Sequence, residues 1–162
     1  MSYTPTGRTF RYELAGQIPT SREDLHELYE ADAVCVSCSD FRITSRIAQF
    51  MDLENEYNYD QLILPGASIG VNMNRIWQDT TLSQMGVLIE LHAIKDIYIA
   101  DHESCGAAKL EYGDENYAQN WKIIHADNLL RAKKLFNEHF PGLKVWMYLM
   151  HLDGSIYELV QD

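Results

Sequence analysis

The chain carries two patterns of apolar positions, which are short apolar runs and longer stretches with helical spacing. Four short runs predict strands, at residues 32–38, 60–64, 96–100 and 144–150. Apolar residues three or four positions apart predict helices, at residues 43–53 and 115–139. Two capping-box sequences predict further helix starts, at residues 20–23, for a helix to about residue 29, and at residues 81–84, for a helix through residue 91. Strands and helices therefore alternate along the chain.

This alternation predicts an α/β fold with a mainly parallel sheet of about four strands, covered by helices on both faces. The Asp-Gly pair at 153–154 predicts a tight hairpin, so residues 156–160 should return as an antiparallel edge strand. Residues 1–19 are polar and irregular, and we expect an N-terminal arm there. No repeat or linker divides residues 20–162, which we interpret as a single domain.

Charge and composition narrow the possible partners. The 162 residues carry a formal net charge of −11 and contain no cluster of lysine and arginine, which argues against nucleic acid or an anionic membrane surface. No apolar run is long enough to cross a bilayer, and the first 16 residues lack the apolar core of a secretion signal. Three cysteines do not form a disulfide framework. These features predict a cytoplasmic protein whose thiols are free to bind metal.

Two short motifs follow the first and the third predicted strand. The first is Cys-Ser-Asp-Phe-Arg at residues 38–42, and the second is His-Glu-Ser-Cys-Gly at residues 102–106. In parallel sheets, ligand sites lie beyond the carboxyl ends of the strands, so neighbouring strands would deliver both motifs to the same edge. Cys38, His102 and Cys105 then offer two thiolates and an imidazole, a set that suits zinc with its fourth position open.

Other interpretations of these residues remain open from the sequence. Cys35 and Cys38 form a Cys-x-x-Cys pair, which could be a redox site or could complete a closed structural Cys₃His zinc site. Against both, residues in a strand alternate between faces, which makes Cys35 a core residue. His151 could relay protons or could be an ordinary hairpin residue, and histidines within the helical stretches, such as His125, are interpreted as solvated or capping residues.

The two motifs together resemble those of the β-class carbonic anhydrases. That family carries Cys-x-Asp-x-Arg after its first strand and His-x-x-Cys-Gly after its third, and the order of elements agrees from about residue 30 to the final hairpin. The positions that match are Cys38, Asp40, Arg42, His102, Cys105 and Gly106. The resemblance covers most of the chain.

The resemblance implies reversible hydration of carbon dioxide to bicarbonate by zinc-bound hydroxide. Cys38, His102 and Cys105 would hold Zn²⁺. Asp40 would orient the hydroxide, and Arg42 would keep Asp40 ionised, because a neighbouring cation lowers a carboxylate pKa. In the family, Asp40 can instead ligate zinc and close the site when Arg42 is disengaged.

The chain departs from the family at two places. The family usually has Arg-Asn-Ala-Gly after its second strand, where this chain has Leu-Pro-Gly-Ala at residues 64–67, and the residue before the motif histidine is usually glycine but here is Asp101. Gly66, Ala67 and Gly106 are the expected substrate-pocket residues, and Gly106 is expected to allow close packing at a helix start.

Three functions are consistent with this resemblance. The first is a zinc lyase that acts on carbon dioxide and bicarbonate and assembles as a homodimer or higher homo-oligomer. The second is a carbonyl sulfide or carbon disulfide hydrolase on the same site. The third is a non-catalytic zinc-holding relative. Sulfide release distinguishes the second function, and bound zinc without turnover indicates the third.

Overall fold

The structure, a computed structural model, describes residues 29–54 and 58–160, without the side chains of residues 53 and 54. The expected arm at 1–19 and nearly all of the helix expected at 20–29 lie outside these residues. The part described contains a five-stranded sheet. Its strands are β1 (Ala33–Ser37), β2 (Tyr59–Ile63), β3 (Asp96–His102), β4 (Lys144–Met150) and β5 (Ile156–Glu158).

The strand order across the sheet is β2-β1-β3-β4-β5. The pairs β1–β2, β1–β3 and β3–β4 are parallel, and β5 pairs antiparallel with β4 after the Asp-Gly hairpin. The predicted fold class, a mainly parallel sheet with one antiparallel edge strand, is therefore confirmed. The strands predicted as the first and the third are direct neighbours at the centre of the sheet.

Helices occupy the connections between the parallel strands. They are α1 (Thr44–Ala48), which continues as a π-helical segment at Gln49–Glu54, then α2 (Ser68–Met73), α3 (Arg75–His92), α4 (Gly106–Tyr112) and α5 (Asp114–His139). The long helix predicted at 115–139 is α5. The sequence pattern did not reveal α2, which has only six residues. It indicated a helix start at Gly106 but not the extent of α4, whose seven residues have too few apolar positions for a period to be recognised.

The predicted helix start at residues 81–84 is wrong. Helix α3 begins six residues earlier, where the Asn74 side chain caps it by accepting a hydrogen bond from the Trp77 amide at 2.9 Å. Thr81 lies inside the helix, and its hydroxyl donates to the carbonyl of Trp77 at 2.8 Å. A threonine inside a helix can bond back to the carbonyl four residues earlier, so the capping-box spacing alone did not identify a terminus.

Two apolar cores lie on the two faces of the sheet. All five residues of β1 are buried, with Val34 and Val36 in one core and Ala33 and Cys35 in the other. Burial on both faces is typical of a central parallel strand. No helix in the described part of the chain is long and apolar enough to cross a membrane. The closed faces leave the strand ends as the place for chemistry.

Candidate metal centre

The register of the two central strands brings the two motifs together. Ser37, the last residue of β1, pairs with Ala100 of β3, and β3 continues for two further residues to His102. Cys38 directly follows β1, so it lies beside the carboxyl end of β3. After His102, Ser104 adopts a left-handed conformation with φ of 58°. That turn leads to Cys105, which precedes α4.

The three predicted ligands form one compact group. The ligand atoms of Cys38, His102 and Cys105 all lie within 4.8 Å of one another, and all three residues are buried. The two sulfur atoms are 3.9 Å apart. Two thiolates bound tetrahedrally to one zinc ion, at about 2.3 Å each, lie roughly 3.8 Å apart. The sulfur spacing therefore fits zinc.

The hydrogen bonds of His102 leave one ring nitrogen bare. Its Nδ1 lies 2.8 Å from the carbonyl oxygen of Glu103. A carbonyl can only accept, so Nδ1 carries the proton and Nε2 presents its lone pair, which is the usual state of a metal-bound histidine. Among the described side chains, Nε2 of His102 is the only buried nitrogen or oxygen without a hydrogen-bond partner. The donor set and this orphaned nitrogen both fit a zinc ion.

The pKa values of the two thiols in the group shift in opposite directions. Hydrogen bonding from Cys105, with a further hydrogen bond from the Gly66 amide, lowers the pKa of Cys38 to about 4 against the effect of burial. The bond with Cys38 and burial raise the pKa of Cys105. Cys35 behaves differently, because burial alone raises its pKa to about 12. Cys35 lies in a core and outside the metal-ligand group, in agreement with its interpretation as a core residue.

Asp40 and Arg42 lie at the rim of this group. Arg42 donates from Nε to Oδ1 at 2.9 Å, from Nη2 to Oδ2 at 2.6 Å and from its backbone amide to Oδ1 at 3.0 Å. Arg42 Nη2 also donates to the carbonyl of Ser104 at 3.0 Å, which joins the two motif loops. Asp40 Oδ2 lies 3.8 Å from Nε2 of His102. The Arg42 hydrogen bonds hold the pKa of Asp40 at about 2, so this carboxylate is ionised and engaged by Arg42.

The three expected pocket residues have different environments. Gly66 has φ of 84°, and its amide donates to Cys38 Sγ at 3.2 Å. Ala67 is fully buried with φ of 45°. Gly106 is exposed at the start of α4, and a Cβ added there would meet nothing within 4 Å. The expectation that Gly106 is needed for close packing is therefore wrong, since this helix start faces open space.

A second polar cluster, which sequence reasoning did not predict, lies behind the ligands. Asp101 is buried and accepts hydrogen bonds from the Ser68 amide at 3.0 Å, the Ser68 hydroxyl at 2.6 Å and His125 Nδ1 at 2.7 Å. His125 Nε2 lies 3.1 Å from the Tyr117 hydroxyl, which accepts from the Cys105 amide at 3.1 Å. The interpretation of His125 as solvated or capping is wrong, since it is 1% exposed. One sequence signal pointed here, namely an aspartate where the resembling family has glycine.

His151 has the contacts of a hairpin residue. Its amide donates to the Ser155 carbonyl at 2.8 Å, and its carbonyl accepts from the Gly154 amide at 3.1 Å. Its Nδ1 lies 3.6 Å from an oxygen of Glu103.

No family model matches this chain. Among known proteins, Uncharacterized protein RC0076 of Rickettsia conorii is 36% identical over 150 residues, which cover 90% of this chain and 81% of that protein. An uncharacterized protein of Rickettsia bellii is 34% identical over 152 residues, which cover 90% of this chain and 92% of that protein.

Solved structures resemble this one over most of its length. Carbonic anhydrase from Streptococcus mutans has a TM-score of 0.58 at 16% identity, over 85% of this chain and 90% of that one. Tetrameric β-carbonic anhydrases from Sordaria macrospora reach 0.60 at 16% identity, over 82% of each chain. The apo form of a carbon disulfide hydrolase reaches 0.53 at 11% identity, over 83% and 81%. At these identities the likeness establishes a shared fold.

Proposed function

Since this chain belongs to one family with the two rickettsial proteins and has the β-carbonic anhydrase fold, we propose that it is a zinc enzyme that interconverts carbon dioxide and bicarbonate. One observation carries the proposal. The bare Nε2 of His102 and the sulfurs of Cys38 and Cys105 converge within 4.8 Å at the carboxyl ends of the two central strands. Such a set leaves one position of a tetrahedral zinc ion open, which is the arrangement of catalytic rather than structural sites.

The residues around this group suit the chemistry of hydration. A bound zinc ion would lower the pKa of a water molecule at its open position. Asp40, 3.8 Å from His102 Nε2 and ionised, can accept a hydrogen bond from the attacking water and so direct an oxygen lone pair at carbon dioxide. Arg42 donates hydrogen bonds to both oxygens of Asp40, which would keep that carboxylate from serving as a metal ligand itself. Asp40 and Arg42 are therefore the proposed catalytic pair.

We propose that Gly66, Ala67 and Gly106 line the substrate pocket, within the single domain that we propose for residues 20–162. Carbon dioxide carries no charge, and the apolar 64–67 turn offers none.

A homodimer or larger homo-oligomer is proposed as the working form, because the Sordaria macrospora neighbours are tetrameric and because Phe41, between the two proposed catalytic residues, is 87% exposed. The proposed location is the cytoplasm, and neither nucleic acid nor a membrane is a proposed partner, given the net charge of −11.

Hydrolysis of carbon disulfide or carbonyl sulfide is the second candidate, favoured by the likeness to the carbon disulfide hydrolase. The two candidates use the same ligands and differ in substrate and product.

Stopped-flow hydration of carbon dioxide by zinc-loaded protein near pH 8.5 tests the proposal, with Cys38→Ser as its control. We expect turnover well above the buffer blank in the parent. Cys38→Ser should lose both zinc and turnover, since one ligand of three is replaced by a poor one. No turnover from zinc-loaded parent overturns the proposal. Sulfide release from carbon disulfide would then support the second candidate, and its absence would indicate a non-catalytic zinc protein.

A further inference from the structure

The buried cluster behind the metal group links elements that are far apart in the sequence. Asp101 lies in β3, and Ser68 begins α2 after the turn that follows β2. His125 and Tyr117 lie in α5. Asp101 and His125 are each at most 1% exposed, and Tyr117 is 4% exposed. The proposed catalytic pair does not include these residues, so their arrangement requires another explanation.

The donors and acceptors of the cluster run in one direction. A carboxylate can only accept, so Nδ1 of His125 carries a proton and donates it to Asp101 at 2.7 Å. In the neutral imidazole Nε2 is then an acceptor, and the Tyr117 hydroxyl donates to it at 3.1 Å. The oxygen of that hydroxyl accepts the amide proton of Cys105 at 3.1 Å. These three bonds link the Asp101 carboxylate to the backbone amide of Cys105.

The same carboxylate also reaches the other cysteine. Both oxygens of Asp101 hold Ser68, through its amide and its hydroxyl. Two residues earlier in that turn, the amide of Gly66 donates to the sulfur of Cys38 at 3.2 Å. Asp101 itself directly precedes His102. One buried side chain thus connects the backbone segments that carry or support all three proposed metal ligands.

We propose that Asp101, His125 and Tyr117 form a buried hydrogen-bond relay that holds both cysteine ligands in place for a metal ion, with Tyr117 as the positioning residue of Cys105. The inference rests on the proposed function only as far as metal binding. Groups that orient metal ligands typically contribute 10–100-fold to metal affinity.

The test compares Tyr117→Phe with Tyr112→Phe, each in the full chain. Tyr112 offers a matched control, because its hydroxyl also accepts a hydrogen bond from α5, from Asn128 at 2.8 Å, but makes no described hydrogen bond to a proposed ligand. Zinc release to a chelator is timed for each loaded protein, and the thiolate-to-metal absorption of the cobalt-substituted forms is recorded. Unfolding of each metal-free variant is measured beside them.

We expect Y117F to release zinc about 10–100-fold faster than the parent and to change the cobalt absorption. Y112F should match the parent in both, even where its metal-free form loses similar stability. Equal zinc release and equal spectra from the two variants would overturn the proposal. A parent that binds no zinc contradicts the proposed function, whereas a parent that binds zinc without turnover leaves this test intact.

His125→Asn keeps the test decisive if Y117F does not fold. The amide nitrogen of asparagine can stand near the position of Nδ1 and donate to Asp101, but no atom then reaches Tyr117. We expect faster zinc release from H125N than from Y112F. Release at the parent's rate would overturn the relay, because the link between Asp101 and Tyr117 would be shown to be dispensable.

Discussion

Two carboxylates flank the proposed metal ligands, and they are held in opposite ways. Asp40 receives its three hydrogen bonds from one residue, Arg42, two positions away on the same loop. Asp101 receives its three from Ser68 and His125, which lie 33 and 24 positions away. Asp40 lies at a rim with 15% of its side chain exposed, and Asp101 is fully buried. The local pair is suited to a reaction at the surface, and the distant one to holding elements together.

Replacing Asp40 should cost turnover and little else. Asp40→Ala removes the carboxylate that we propose orients the attacking water, and groups with such roles typically contribute about 10²–10⁴-fold to the rate. Bound zinc and the free energy of unfolding should change little, since exposed ion pairs contribute about 1 kcal/mol or less. Stopped-flow hydration, zinc content and denaturant unfolding measure the three quantities.

Asp79→Ala is the matched control for Asp40→Ala. Asp79 lies on α3, and both of its carboxylate oxygens accept hydrogen bonds from an arginine, Arg75. It should retain full turnover. Hydration by Asp40→Ala at the parent's rate would remove Asp40 from the mechanism.

Replacing Asp101 should instead cost stability. Asp101→Ala leaves the Ser68 amide, the Ser68 hydroxyl and His125 Nδ1 buried without their acceptor. Each such group costs about 1–3 kcal/mol, so we expect a loss of at least 3 kcal/mol in the free energy of unfolding. Urea unfolding of the metal-free protein measures it. A loss no larger than that of Asp40→Ala would show that the two carboxylates are equivalent, contrary to the comparison.

Replacing Arg42 with alanine should change the free energy of unfolding less than replacing Asp101 does, and this change should depend on pH. Arg42 lowers the pKa of Asp40 to about 2 in the folded protein, below its unfolded value of about 3.9. Its contribution is therefore present above pH 4 and is lost as the pH falls towards 2. The metal-free parent should exceed Arg42→Ala only slightly in the free energy of unfolding at pH 6, because exposed ion pairs contribute little, and the gap should shrink by pH 2–3. A gap that widens on acidification would contradict this assignment.

Cys35→Ala should have the smallest effect on the metal. The thiol of Cys35 is protonated in a core, and zinc content should equal that of the parent. Cys38→Ser, only three residues away, should lose zinc. Reduced zinc in Cys35→Ala would favour the Cys-x-x-Cys interpretation.

The contrast between the carboxylates also explains what could be predicted from the sequence. Cys38, Asp40 and Arg42 lie within five residues after a strand, so their juxtaposition follows from local chain geometry. Strand alternation and the Asp-Gly hairpin likewise reveal the sheet and its antiparallel edge. These features depend on neighbours along the chain.

The parts that were missed depend on distant contacts. His125 lies in a helix whose sequence does not reveal that Asp101 will face it across the fold. Helix α3 begins after an asparagine cap, Asn74, which in the sequence resembles any loop residue. Helix α2 is too short to show an apolar period. Helix propensity and spacing contain no information on which buried polar groups will meet.

The register between β1 and β3 has a consequence for how the protein folds. A slip of one residue would turn every side chain of β1 to the opposite face. A slip of two would displace Cys38 by about 7 Å, more than the 4.8 Å that encloses the ligand atoms. A sheet paired with either slip would not bring the three proposed ligands together, so any metal ion that binds them would stabilise only the correctly paired sheet.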